Sequence, residues 1–173
     1  MFSIDGAKCR LRALEPSDVE LLYLWENDPE VWRVSGTLAP LSLERIARFV
    51  EEQSYEILAT RQMRLIVEVE GVAVGSVDIY EYDPINRRFG LGILIYAERR
   101  RQGYARAAIE AVGRYGVETL GIKQMWASIA EDNEASILLF ESCGFAQCGR
   151  RRAWLRRPSG FVDQLEYQLI FEQ

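Results

Sequence analysis

The chain has 173 residues, 49% of them hydrophobic, enough to bury a core, and a single domain over residues 1–173 is expected. A net charge of −5 with no histidine excludes nucleic-acid binding through an overall basic field, and excludes imidazole bases, triads and metal sites. Cys9, Cys143 and Cys148 are odd in number and lack metal-ligand spacing, so reduced thiols, no metal and a cytoplasmic location are expected. With no basic-apolar leader and no run of eighteen apolar residues, neither secretion nor membrane spanning is expected.

Residues 8–14, "KCRLRAL", alternate as a strand does. "PSDVELLYLWEND" follows, with Ser17 and Glu20 at capping-box spacing and Val19, Leu22, Tyr23 and Trp25 as a buried face. Asn27, Asp28 and Pro29 end that helix. A second helix is predicted from Ser42, burying Ile46, Phe49 and Val50. Residues 64–96 read as three strands, turned first at Gly71 and then at "DPIN" (83–86).

From Gly103 the apolar period becomes helical through Ala105, Ala108, Ile109 and Val112. "IKQMWASIA" (122–130) is a strand, and "NEASILLFESCGF" a short helix capped by Asn133 and closed at Gly144 with Phe145 packing back. Two strands, near 145–155 and 162–171, flank a turn at 157–160. The alternation of these elements predicts one α/β domain around a central sheet.

The turn "RRRQGYARAAIEAV" (99–112) joins a strand to the helix that starts near Gly103. The first amides of a helix lack intrahelical partners and sit at the positive end of its dipole, which suits an anion. Gly103 removes the Cβ that would block the approach, and the flanking arginines add phosphate donors. The turn lacks the Gly-Lys-Ser/Thr of a P-loop and the three glycines of a dinucleotide loop. A solvated basic loop is the alternative at this point.

Arg100-x-x-Gly103-x-Ala105 resembles the acyl-CoA pyrophosphate loop of the GNAT superfamily of N-acetyltransferases, and "NEASILLFESCGF" resembles that family's second signature. "LRALEPSDVELLYLWEND" and "INRRFGLGILI" are similar to the openings and fourth strands of spermidine and ribosomal-protein N-terminal acetyltransferases. The resemblance covers nearly the whole chain. It implies a mixed, mostly antiparallel, twisted central sheet flanked by helices, with acetyl-CoA as cosubstrate. The backbone of Ile93, Leu94 and Ile95 would pair with the pantetheine arm as an added strand. Arg100, Arg101, Gln102, Gly103, Tyr104, Ala105 and Arg106 would surround the pyrophosphate, and Asn133, Ser136 and Phe140 would line the arm. Gly90 and Gly92, glycines inside a strand, are expected to mark a bulge or a close approach by another backbone, with a packing accommodation as the alternative for either one.

The acceptor implied is a primary amine, either a polyamine-like small molecule or a protein N-terminus. The sequence departs from the family at both usual proton handlers: Phe140 stands where a tyrosine protonates the leaving thiolate, and Gly90 where an acidic residue is common. Releasing a thiolate of pKa about 8.5 at neutral pH costs about 2 kcal/mol, and a positioned acid contributes about 3–5 kcal/mol. Loss of that acid slows the reaction without abolishing it, because orientation of the reactants is the larger effect. Glu26, Asp28, Asp78 and Glu81 are the candidates to attract the amine and relay its proton, each also readable as a solvated carboxylate. A catalytically quiet acyl-CoA-binding protein and a basic-hairpin interaction module are the alternatives. Arg150, Arg151, Arg152, Arg156 and Arg157 form that basic hairpin, a solvated face or a contact for ribosomal RNA or the CoA 3′-phosphate. A homodimer is left open by the sequence.

Overall fold

All neighbouring strands of the central sheet run antiparallel except one pair, and that pair sets the position of the site. The computed structural model describes residues 3–53 and 57–172. Its strands are β1 (Ser3–Asp5), β2 (Arg10–Ala13), β3 (Met63–Val69), β4 (Val72–Asp83), β5 (Arg88–Ile95), β6 (Gln124–Ala130), β7 (Ala146–Arg157) and β8 (Gly160–Ile170). They form one sheet in the order β1-β2-β3-β4-β5-β6-β8-β7, with β5 and β6 the parallel pair. The sheet is thus mixed and mostly antiparallel, as the resemblance implies.

Helices cover both faces. On one side lie α5 (Tyr104–Glu118) and α6 (Glu134–Ser142), which bury Ala108, Ile109, Val112 and Phe140 against Phe89, Leu91 and Met125. On the other lie α1 (Val19–Glu26), α2 (Pro29–Ser35) and α3 (Leu43–Glu52), where Leu22, Trp25, Ile46 and Val50 close over Ile66. Alternate residues of β3 serve the two cores, since successive strand side chains point to opposite faces. Leu65 and Val67 belong to the first core and Ile66 to the second. A one-turn helix, α4 (Ile57–Thr60), precedes β3.

Four local features differ from the sequence reading. The short strand β1 carries too few residues for a period to register. Asp28 and Pro29 end one helix and also begin the next: Asp28 Oδ1 accepts from the Glu30 amide at 2.8 Å, and Pro29 takes the first turn of α2. The reciprocal cap at the start of α1 involves Glu15 and Asp18 rather than Ser17 and Glu20, because a 3₁₀ turn over Pro16–Asp18 comes first. Tyr23 and Phe49 are not in the core; Tyr23 is exposed and Phe49 half-buried, its ring lying under the Arg64 guanidinium.

That 3₁₀ turn is anchored by charge. Arg12 donates to both Asp18 oxygens, at 2.7 and 2.9 Å, and to Glu68 at 2.7 Å, while Arg10 also pairs with Glu68. Asp18 and Glu68 are among the buried polar residues. Burial opposes ionisation of Asp18, but Arg12 and the Glu15 amide outweigh it and hold the carboxyl below its ordinary value. Hydrogen bonds from Arg12 and then Arg10 do the same for Glu68.

Carboxyls lowered by folding stabilise the protein above their unfolded values, and the benefit is lost as pH falls through the folded ones. Urea unfolding is expected to show constant stability above about pH 5 and a steep decline below about pH 4. Arg12→Met is expected to cost about 3 kcal/mol at pH 7 and to flatten that acid limb. An unchanged limb in the variant contradicts the assignment.

Candidate functional site

Strands β5 and β6 share three rungs, Arg88–Gln124, Phe89–Met125 and Gly90–Trp126, and then separate. Beyond Gly90, β5 keeps its pairing with β4 as far as Gly75–Ile95, and β6 keeps its pairing with β8 as far as Ala130–Gln164. Along Leu91–Ile95 no strand lies on the β6 side among the described residues. Alternate backbone groups of a strand point to alternate sides, so part of this edge faces into the fork with polar groups unpaired by any ladder. Ile93, Leu94 and Ile95 lie on this edge. One of its carbonyls is already taken, because Arg100 Nε donates to Ile95 O at 2.9 Å.

The open end of the fork leads to the start of α5. Gly103 has φ +83° and Arg101 φ +63°, the left-handed geometry that turns the chain into the helix. Helices α2, α3 and α6 have side-chain caps from Asp28, Ser42 and Asn133, whereas among the described residues no side chain caps α5. Its first amides are therefore available to an anion. Arg101, Gln102, Gly103 and Arg106 are exposed here, with Tyr104 and Ala105 half-buried. Several side chains are held internally: Tyr104 Oη donates to Gln102 Oε1 at 2.9 Å, and Arg106 pairs with Glu110 at 2.8 Å.

One residue at this mouth escaped the sequence reading. Lys8 Nζ donates to Gln102 O at 3.3 Å, reaching across from the turn between β1 and β2. A Cβ on Gly103 would lie 3.1 Å from that nitrogen. The carbonyl and amide of one peptide point in opposite directions, so holding Gln102 O from behind aims the Gly103 N–H outward. The neighbouring Cys9 is buried, and burial pushes its thiol up to about 11; Cys143 is raised by the same cause. Both thiols stay protonated at neutral pH.

The second signature places its residues less directly. Asn133 Oδ1 accepts from the Ser136 amide at 3.2 Å, capping α6, so these two side-by-side positions stay together at the helix start. Phe140 is 3% exposed and packs edge-to-face on Phe145 with centroids 4.9 Å apart. It is a core side chain.

Across the sheet from α5, Gly90 faces Tyr80 in register. A Cβ on Gly90 would fall 2.2 Å from a Tyr80 ring carbon, so the glycine is there to admit this ring, not another backbone. Gly92 has ordinary clearance from Asp78, 3.6 Å. Trp126, on the last shared rung, meets the Tyr80 ring edge-on at 5.0 Å and 85°. Burial first, then Glu81, Glu166 and Asp78, push the Tyr80 phenol up to about 12, against the pull of the Ser128 backbone amide.

The four candidate carboxylates divide. Asp78 and Glu26 converge on Arg64, which donates to Asp78 at 2.6 and 3.0 Å and pairs with Glu26. These two carboxylates therefore share one compensating cation rather than standing as solvated groups. Asp28 caps α2 through the Glu30 amide. Glu81 sits in the β4 bulge at φ +50° and lines a cavity of about 500 Å³ with Arg88, Trp126, Arg151 and Glu166. A second cavity, about 400 Å³ and mostly apolar, lies behind α5 against Met125, Cys143 and Phe171. In the basic hairpin, Arg150 pairs with Glu131 and Asp163, Arg151 with Glu166, and Arg157 with Asp132. Much of its charge is spent within the chain.

The family model for the acetyltransferase (GNAT) domain matches residues 8–146. The chain belongs to the GNAT acetyltransferase family. This acetyltransferase is 26% identical over 170 residues to the SPbeta prophage-derived N-acetyltransferase YokL of Bacillus subtilis, covering 97% of this chain and 93% of that one. It is 23% identical over 137 residues to spermidine N(1)-acetyltransferase of Escherichia coli K12, covering 79% and 72%. The crystal structure of spermidine N-acetyltransferase from Vibrio cholerae in complex with CoA and spermine has a TM-score of 0.85 at 20% identity, covering 95% and 96%. RimL, the ribosomal L7/L12 alpha-N-protein acetyltransferase, gives 0.83 at 18% identity, covering 98% and 94%. Among the described residues of this acetyltransferase, no helix is long and apolar enough to cross a membrane, and no group of three potential metal ligands occurs.

Gly90→Ala is expected to displace the Tyr80 ring and destabilise the acetyltransferase by about 1–3 kcal/mol. Urea unfolding measures the loss, and near-ultraviolet circular dichroism reads the Tyr80–Trp126 contact. A variant as stable as the parent with an unaltered spectrum contradicts the tight contact.

Proposed function

We propose that residues 1–173 act as one cytoplasmic N-acetyltransferase domain that moves the acetyl group of acetyl-CoA onto a primary amine. The observation carrying this reading is the continuous path from the uncapped start of α5 along the unpaired edge of β5 into the fork. A diphosphate at Arg101–Arg106 lays the pantetheine arm beside Ile93–Ile95 by β-augmentation and brings the thioester to the fork. Lys8 supports the diphosphate by fixing the Gln102–Gly103 peptide.

Cys9, buried, and Cys143, half-buried, are held protonated, so neither supplies a thiolate for an acyl-enzyme, and direct attack by the amine is the route proposed. The acceptor is a cation before it reacts. Glu81 lines the polar cavity beside Glu166 and attracts an ammonium there, while Glu166 and Asp78 are in part compensated by Arg151 and Arg64. A polyamine-like molecule and a protein N-terminus both carry that group, in keeping with the spermidine and ribosomal-protein substrates in the names of the relatives. The buried Phe140 favours a second reading, an acyl-CoA-binding protein without turnover.

Thiol release from acetyl-CoA over a panel of polyamines and N-terminal peptides separates the two readings. Turnover of at least one amine is expected, and acetyl-CoA binding with no turnover across the panel overturns the proposal in favour of the second reading. Lys8→Ala is expected to raise KM for acetyl-CoA about tenfold, the effect of losing a charged hydrogen bond. KM for S-acetylpantetheine, which lacks the phosphates, should stay within about twofold under the same argument. Equal losses for both donors contradict a role at the diphosphate.

A further inference from the structure

Transfer to an amine leaves a thiolate to protonate and a nitrogen to deprotonate. Neither customary group is present: Phe140 carries no proton and is sealed in the core, and Gly90 carries no side chain. The space above Gly90 is nevertheless filled. Tyr80 enters it from the neighbouring strand, its ring held where a Gly90 side chain would begin and braced edge-on by Trp126. Gly90 and Trp126 form the last rung before β5 and β6 separate. The ring therefore lies over the narrow end of the fork, on the side of the sheet that carries Asp78 and the polar cavity lined by Trp126.

We propose that Tyr80 is the proton-transfer residue of this acetyltransferase, a role that rests on the acyl transfer proposed above. The ammonium first releases one proton to solvent water; the free amine nitrogen then bonds to the thioester carbon, and collapse of the adduct breaks the carbon–sulfur bond. Sulfur takes the Tyr80 proton as the bond breaks, and the phenol oxygen recovers one from the former amine nitrogen. One proton thus passes from nitrogen to sulfur through the hydroxyl, with no further reactant. A free phenolate is never needed, because giving and recovering the proton are coupled. The carboxylates Glu81, Glu166 and Asp78 keep the phenol protonated between turnovers, and Glu81 draws the ammonium to the polar cavity. A phenol from the adjacent strand replaces both missing groups, and the glycine is what makes room for it.

Tyr80→Phe keeps the ring against Gly90 and Trp126 and removes only the oxygen. With acetyl-CoA and the amine that the parent enzyme turns over fastest, kcat is expected to fall about 10²–10³-fold, within the range for a positioned acid–base group. Calorimetric affinity for acetyl-CoA and the thermal midpoint should be essentially unchanged. Incorporating 3,5-difluorotyrosine at position 80 supplies the same ring with a more acidic phenol. This enzyme is expected to lose kcat at alkaline pH where the parent does not, a change that a packing role would not produce. Phenylalanine turnover within about threefold of the parent, or a difluorotyrosine profile matching the parent's, overturns the assignment of Tyr80 while leaving acyl transfer intact. If the parent itself binds acetyl-CoA but acetylates no amine, both proposals fall together.

Discussion

Two parallel strands that share three rungs and then diverge are the constraint on which the rest of this structure depends. A ladder continued to Ile95 would satisfy the β5 edge internally and leave no space between the strands. Parting after Gly90 instead exposes a strand edge whose natural partner is another extended chain. The fork also determines what lies at either end. Its wide end meets the start of α5, where the turn at Arg101 and Gly103 leaves the first amides uncapped. Its narrow end is the rung of Gly90 and Trp126, over which Tyr80 lies.

Charge is organised around the same geometry. Arg64 joins α1 to β4 through Glu26 and Asp78, tying the helical layer on the acceptor side to the strand that carries Tyr80. Arg12 performs a similar task further from the fork, where Asp18 and Glu68 meet it nearly out of solvent. Buried ion pairs of this kind add little net stability but are costly to break, so they fix where an element docks. The exposed pairs of the β7–β8 hairpin are weaker and mainly neutralise its arginines. That explains how a visibly basic stretch belongs to an acidic protein without requiring a nucleic-acid partner.

The motifs that depend on neighbouring residues were legible in the sequence. The Gly103 turn, the Asn133 cap and the Gly144–Phe145 closure each combine residue type with short spacing, and each lies where that spacing puts it. The parts that depend on register were not. At Gly90 the sequence leaves room for a backbone and a packing accommodation both open, because nothing local shows that Tyr80 stands opposite it. Glu26 and Asp78 looked like free carboxylates, since their common partner Arg64 is 38 residues from one and 14 from the other. Lys8 lies 94 residues from the carbonyl it holds, in a turn too short to carry a pattern. Pairing across the sheet appears only once the strands are in place.

Amide hydrogen exchange with and without CoA tests the central claim most directly. The account expects CoA to slow exchange along residues 91–95 and 101–106, the two stretches that offer unpaired amides, with little change behind α5. Unaltered exchange in both stretches, with protection gathered instead around Gly113 and Phe171, would place the ligand in the apolar cavity and contradict it.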